Sequence, residues 1–382
     1  MTRVRVQGEM LRWARERAGL STAVLESKFP RLGQWESGEV LPTLKQLEAY
    51  ANTTHAPVGY LFLDEPPVET LPIPDFRTIA GQQVIRPSPD LLEMIYACQH
   101  RQDWFREYAT ISGDAPLPFI GSATLQSPII ETAAAIRTTL GFDLAERARC
   151  PTWTEALRMF IAKADQAGVL VMSSGIVMNN THRKLDPKEF RGFALTDNLA
   201  PLVFVNGADS KSAQMFTLAH ELAHLWLGQS ALSDSTVASR NQNAVETWCN
   251  RVAAEMLAPL EQVREAMRPN EEIEVTVSRL ARQFKVSTLV VLQRLRDSGR
   301  LNWDAFNLAY EAEINRISST PKPAGGGDFY LTTATRYSRR FARALVGSTL
   351  EGRTLYREAF RLLGISKSET FNELGRSLNF NA

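Results

Sequence analysis

Five consecutive residues carry the strongest chemical suggestion in this chain: His220-Glu221-Leu222-Ala223-His224. Two histidines four apart on a helix point the same way, one turn above each other. That spacing lets two imidazoles hold one divalent ion, Zn²⁺ above all. Glu221 projects beside them, where a carboxylate can take a proton from water that the ion has acidified. The flanks agree with a helix, because Phe216, Ala219, Leu222, Ala223, Leu225 and Trp226 form an apolar face. The plainer reading is a helix with two incidental histidines.

A catalytic zinc needs a third protein ligand and one open position. His224 is the last histidine of the chain, so the longer pattern with a downstream histidine is excluded. The third ligand is therefore expected to be a carboxylate. The next helix offers Glu246, with Asn250 four residues on and on the same face. Glu246 would bind the ion while Asn250 orients a histidine from behind. Glu255 competes for the role but does not share the inner face easily on a 3.6-residue period. A solvated Glu246 is the alternative without chemistry. The reaction this set suits is hydrolysis of a peptide bond, with Glu221 as the base that later returns the proton to the leaving amine. Zn²⁺ is the expected cofactor, with Mn²⁺ or Fe²⁺ as alternatives. The oxyanion donor is not identified. His182 and Arg191 lie in the right region, but residues of their types are more readily structural or surface groups.

The elements that must position these residues can be read from pattern. A long helix spans residues 211–227 and is ended by Gly228; a second spans 243–258 and is ended by Pro259. Upstream, Thr152 and Glu155 form a capping box opening a helix to about Ala167. Three short apolar runs read as strands: VLVMSSG (169–175), FRGFALT (190–196) and PLVFVNG (201–207). Helix, strands, helix, helix is an α+β unit, within a chain that is mostly helical. Residues 1–63 read as short helices. DEPPVETLPIPDF (64–76) carries four prolines and reads as an extended linker. Ser-Pro pairs open helices at 88–109 and 127–140. Residues 277–298 give a helix-turn-helix pattern, TPKPAGGG (320–327) a flexible break, and 328–382 a helical remainder. The organisation expected is an N-terminal helix-turn-helix bundle (1–63), a linker and helical connector (64–150), a zinc peptidase core with a small sheet (151–268) and a helical C-terminal domain (269–382).

Composition bounds the rest. At 382 residues the chain is long enough for two or three domains. Hydrophobic residues at 44% and charged residues at 22% exclude wholesale disorder and a fibre. Lys and Arg number 43 against 42 acids, so any nucleic-acid surface must be local. Cys98, Cys150 and Cys249 form no CxxC pair, which suggests neither a disulfide framework nor a thiolate zinc site. The N-terminus has no apolar signal core, and no apolar run is long enough to span a bilayer, so no membrane partner and a cytoplasmic location are expected.

FTLAHELAHLWLG followed by VETWCNRVAAEMLAP resembles the ImmA/IrrE family of metallo-endopeptidases, over about residues 150–260. The resemblance implies a gluzincin-like minimal core, with His220, His224 and Glu246 as zinc ligands and Glu221 as base. It implies a protein substrate, a repressor or a toxin–antitoxin partner. LRWARERAGLS and WESGEVLPTLKQLEAYA are similar to the Xre-type helix-turn-helix often fused to this peptidase. One departure stands out. Only Pro30, Arg31, Leu32, Gly33 and Gln34 separate Phe29 from Trp35, so the turn and recognition helix are abbreviated. Arg31 and Gln34 are the remaining readers of base edges. Five Arg against two Glu in residues 1–20 favour DNA; a docking module that kept the fold and lost the groove helix is the other reading. Trp35 is expected in the small core and Glu36 against an Arg of the first helix.

LARQFKVSTLVVLQRL also resembles a helix-turn-helix, and its apolar residues suit a scaffold. Residues 336–361 hold seven Arg against two Glu, interleaved with Tyr337, Phe341, Tyr356 and Phe360. That is either a nucleic-acid or acidic-partner surface or a pair of helices with solvated arginines. The expected function is a zinc-dependent endopeptidase with a regulator-like N-terminal domain, cutting one partner protein. The rival is a non-proteolytic DNA- or protein-binding regulator, or an antitoxin that neutralises a ribonuclease-type toxin. A third option is a sensor with structural zinc. Chelation by EDTA separates the first from the second.

Overall fold

The computed structural model describes residues 3–75, 86–233, 243–319 and 336–380. They form an α+β structure, mostly helical with a small mixed sheet. Two compact units result, one of residues 3–72 with 86–95 and one of 73–75 with 96–380. The expected break at 320–327 lies outside the described residues.

The first unit holds α1 (Gly8–Arg17), α2 (Thr22–Glu26), α3 (Leu32–Glu36), α4 (Leu44–Thr54) and a 3₁₀ turn at Val58–Phe62. Thr43 and Gln46 close a capping box at the start of α4. Met10, Leu11, Leu32, Trp35, Leu47, Tyr50 and Leu61 form the core. Tyr50 donates its hydroxyl to the Leu11 carbonyl at 2.7 Å. Glu36 pairs with Arg15 at 2.8 Å, with Arg12 at 3.8 Å, so Trp35 and Glu36 both hold the unit together. Helix α3 has only five residues, and Arg31 and Gln34 are exposed beside it and on it.

The chain continues through α5 (Pro89–Ser112), α6 (Ile129–Leu140), α7 (Leu144–Ala148) and α8 (Trp153–Gln166). Then come β1 (Leu170–Ser174), a hairpin of β2 (Ile176–Val177) and β3 (Asn180–Lys184), β4 (Gly192–Leu195) and β5 (Leu202–Asn206). Helix α9 (Lys211–Leu227), β6 (Ala231–Ser233) and α10 (Ala244–Leu257) follow, then α11 (Leu260–Ala266), α12 (Ile273–Phe284), α13 (Thr288–Asp297) and α14 (Trp303–Ser319). The chain ends in α15 (Arg339–Leu350), α16 (Tyr356–Leu363) and α17 (Ser368–Ser377).

The four-stranded sheet has the order β1-β5-β4-β6, with β1 parallel to β5 and the other pairs antiparallel. Its outer edge is covered. Leu232 donates its N–H to the Pro74 carbonyl at 2.9 Å, and Asp75 bridges Leu232, so part of the proline-rich stretch lies along β6. β1, β4 and β5 are buried almost throughout, as strands covered on both faces must be. Val171, Ala194, Val203 and Val205 join the core made by α6, α8, α9 and α10. On the other side, the buried Arg101 of α5 reaches Met172 and donates to the Leu362 carbonyl at the end of α16.

In the arginine-rich C-terminal segment Arg339, Arg343, Arg353, Arg357 and Arg361 are exposed, as is Tyr356, while the other aromatics turn inward. Tyr337 and Phe341 are fully buried, and Arg340 and Arg343 are engaged with Asp114 and the Leu378 carbonyl. These aromatics therefore offer no stacking platform. Helix α13 is buried from Val290 to Leu295, which makes it core rather than an exposed reading helix.

Helix α10 ends in a basic clamp. Arg137 donates to the Glu255 carbonyl at 3.0 Å, Arg147 to that of Leu257, and Arg294 to that of Ala258 at 2.8 Å. The last carbonyls of a helix lack partners within it and attract cations. Arg294 also binds the Glu255 carboxylate, with both side chains buried. Removing one partner of a buried ion pair strands the other's charge, at about 3–5 kcal/mol. Arg294→Ala should therefore lower unfolding free energy by about 3–5 kcal/mol in a denaturant titration. The double variant Arg294→Ala/Glu255→Ala should lose less than the two single losses summed. Full additivity would show that the pair is not coupled.

Candidate metal centre

Helix α9 starts where Ser210 accepts a hydrogen bond from the Ala213 N–H at 3.2 Å, and stops where Gly228 turns left-handed at φ 68°. Every residue from Gln214 to Leu227 is buried. Such a helix must belong to the core, yet it carries His220, Glu221 and His224, all with no solvent exposure. Buried ionisable groups require partners.

Helix α10 supplies them. It is capped by Asn243, which accepts from the Val245 N–H at 2.8 Å, and it packs along α9. Glu246, also fully buried, brings Oε2 to 3.3 Å from His220 Nε2 and Oε1 to 3.1 Å from His224 Nε2. The two Nε2 atoms are 3.1 Å apart. Ligand atoms of His220, His224 and Glu246 all lie within 4.8 Å of one another, the one such trio among the described residues. Asn250 accepts from His220 Nδ1 at 2.9 Å. A proton on Nδ1 leaves the Nε2 lone pair directed at the cluster, the tautomer a metal ligand needs. Two imidazole nitrogens and one carboxylate are a catalytic zinc donor set, so these residues fit a divalent ion.

Electrostatics separates the two acids. Burial alone would raise the Glu246 carboxyl, but the charges and hydrogen bonds of His220 and His224 overcome it and hold it at about 2. Burial pushes Glu221 up to about 8; Glu246 adds to this, against the charge of His220 and the dipole of the Ser233 hydroxyl. Both Glu221 oxygens lack a hydrogen-bond partner among the described residues. One acid thus stays ionised while the other has a high proton affinity, the division of labour expected of ligand and base. Burial also pushes the Cys249 thiol well up, with Glu246 and Glu221 adding to it, which makes it a poor thiolate donor.

Strand β4 lies close against α9. A Cβ on Gly192 would stand 2.5 Å from Thr217 Cγ2, 2.8 Å from the Phe204 carbonyl oxygen and 3.2 Å from Glu221 Cγ. Only glycine fits there.

The remaining candidates fall elsewhere. Glu255 is turned to Arg294 at the far end of α10. His182 is exposed on β3, and Arg191 lies 3.7 Å from Asp209. Arg31 and Gln34 belong to the first unit. A residue that sequence reasoning missed is Ser233 of β6, fully buried, with Oγ 3.2 Å from His224 Nε2 and 3.4 Å from Glu246 Oε1. A serine in a three-residue strand has no periodicity to mark it.

Residues 164–296 match the peptidase family described as the IrrE N-terminal-like domain. The match supports the ImmA/IrrE-type resemblance for that part of the chain and a metal-dependent peptidase there. Residues 337–377 match a domain of unknown function, DUF8813. No curated protein matches the chain.

The Glu221 shift carries a pH signature in the metal-free protein. Unfolded, its carboxyl ionises near 4.5; folded, near 8. Between these values the folded state keeps a proton that the unfolded state releases, so stability falls as pH rises. Each tenfold change in proton affinity is worth about 1.4 kcal/mol. Glu221→Gln should therefore melt higher than wild type at pH 8, by a margin that vanishes towards pH 4.5. Parallel melting curves across this range would contradict the assignment.

Proposed function

We propose that this chain is a zinc-dependent endopeptidase that hydrolyses a peptide bond in a specific partner protein, repressor-like or from a toxin–antitoxin pair. The observation that carries the reading is the convergence of His220, His224 and Glu246 within 4.8 Å, with Glu221 on the same helix. The match of residues 164–296 supports it. His220 and His224 from α9 and Glu246 from α10 would hold the ion. When bound, a zinc ion acidifies water and polarises the scissile carbonyl. Mn²⁺ or Fe²⁺ would suit the same donors less selectively.

This chain's own groups do the rest. Glu221 accepts the proton of the attacking water and delivers it to the leaving amine. Its buried setting raises its proton affinity, which suits a group that must hold a proton between two steps. Asn250 holds the His220 ring in its ligand tautomer. His220, Glu221, His224 and Glu246 are fully buried, and so low a dielectric strengthens every charge interaction at the site.

Recognition of the partner is assigned to the N-terminal unit. Arg31 and Gln34, exposed beside and on α3, are of the types that read base edges, so DNA is the ligand to test there. A five-residue α3 offers little surface to a major groove, which equally suits a protein-docking module. No helix among the described residues is long and apolar enough to cross a membrane. The proposal places the enzyme in the cytoplasm, where such partners occur.

Cells producing the wild-type chain should show new protein N-termini in one or very few proteins, compared with cells producing Glu221→Gln. Chelation should suppress cleavage of the same protein in a purified reaction. Identical N-termini in both strains, with zinc bound to the wild type, would leave a binding protein and overturn the peptidase reading.

A further inference from the structure

The polar atoms of the centre share one spacing. Ligand bonds of about 2.0–2.2 Å in a tetrahedron set neighbouring ligand atoms about 3.3–3.6 Å apart. The separations among His220, His224 and Glu246 are 3.1, 3.1 and 3.3 Å. Ser233 joins this set on nearly equal terms, with Oγ 3.2 Å from His224 Nε2 and 3.4 Å from Glu246 Oε1. Yet it is neither acid nor imidazole.

Its place is built rather than incidental. Ser233 is fully buried. Strand pairing sets it opposite Gly192, the residue whose missing side chain lets α9 bring Glu221 against β4. The sheet therefore presents one hydroxyl to the side of the cluster where His224, Glu246 and the base meet. A hydroxyl has one donor and two lone pairs. Donated to Glu246 Oε1, it keeps both oxygen lone pairs for other partners. Being neutral, it adds no charge to a set of one carboxylate and two imidazoles.

We infer that Ser233 is a positioning residue of this centre, whose hydroxyl orients Glu246 and lines the position that a three-ligand ion keeps open. The inference rests on the metallopeptidase reading above. It extends that reading by giving β6 a part in the chemistry: the Ser233 hydroxyl stands beside His224 Nε2 and Glu246 Oε1, where it can steady the carboxylate that would hold the ion.

The test is cobalt binding by the full chain, as wild type and as Ser233→Cys, Ser233→Ala and Ser233→Thr, each checked for unchanged helical content. A thiol at 233 lies at ligand spacing, so Ser233→Cys should gain a strong near-ultraviolet thiolate-to-cobalt band that the wild type lacks. Ser233→Ala should bind cobalt about 10–100-fold more weakly, as loss of a hydrogen bond to a ligand does. Ser233→Thr, which keeps the hydroxyl, should recover most of that loss. Cobalt-loaded Ser233→Cys without the band, together with wild-type affinity in Ser233→Ala, would overturn the inference and leave the metal centre standing. A wild type that takes up no cobalt would overturn both.

Discussion

The structure depends on one electrostatic demand. Helix α9 buries two histidines and a glutamate with no access to solvent. Isolated charges cannot be carried into such a place; they must be neutralised, paired or bound to an ion. Glu246 answers that demand from α10, and it stays ionised because both histidines face it. Glu221, with no comparable partner, retains its proton far above the ordinary carboxylate range. The contrast between these two acids is the division expected of a ligand and a base.

Meeting the demand requires α9 and α10 to be held in register, and the rest of the second unit can be understood as the means. The N-cap at Ser210 and the left-handed stop at Gly228 set the ends of α9. Gly192 lets β4 approach Glu221 closely enough to fix its depth. Arg137, Arg147 and Arg294 gather the terminal carbonyls of α10, anchoring that helix to α6, α7 and α13. Helix α13 thus contributes a buried guanidinium to the scaffold, which explains why a segment patterned like a DNA reader is buried along most of its length. At the other end of the same unit, Arg101 and Asn179 donate to the last carbonyls of α16. The C-terminal helices are docked by the device that anchors α10.

Much of this was legible in the sequence because it rests on local rules. The extent of α9 follows from its apolar pattern and a glycine stop; its Ser210 cap emerged with the structure. The facing of Glu246 and Asn250 follows from a four-residue spacing on one helix. The three apolar runs became β1, β4 and β5 because continuous burial leaves little choice for short apolar segments. What escaped depends on long-range packing. The β2–β3 hairpin, α7 and α11 are too short for any period to declare them. Ser233 reaches the centre only through the pairing of β6 with β4, two strands separated by α9. The arginines that clamp α10 come from residues 137, 147 and 294, and no spacing connects them. Composition left residues 336–361 open between a partner surface and helices with solvated arginines; Tyr337 and Phe341 are interior, while Tyr356, Arg353, Arg357 and Arg361 are exposed.

The central claim is that His220, His224 and Glu246 form one metal site. Elemental analysis of the purified full chain, beside His220→Ala and Glu246→Ala, tests it most directly. The account predicts about one zinc per wild-type chain, as a tetrahedral site with three protein ligands requires, and loss of that zinc in both variants. A wild type that holds no metal after zinc is added back, or variants that keep it, would contradict the claim.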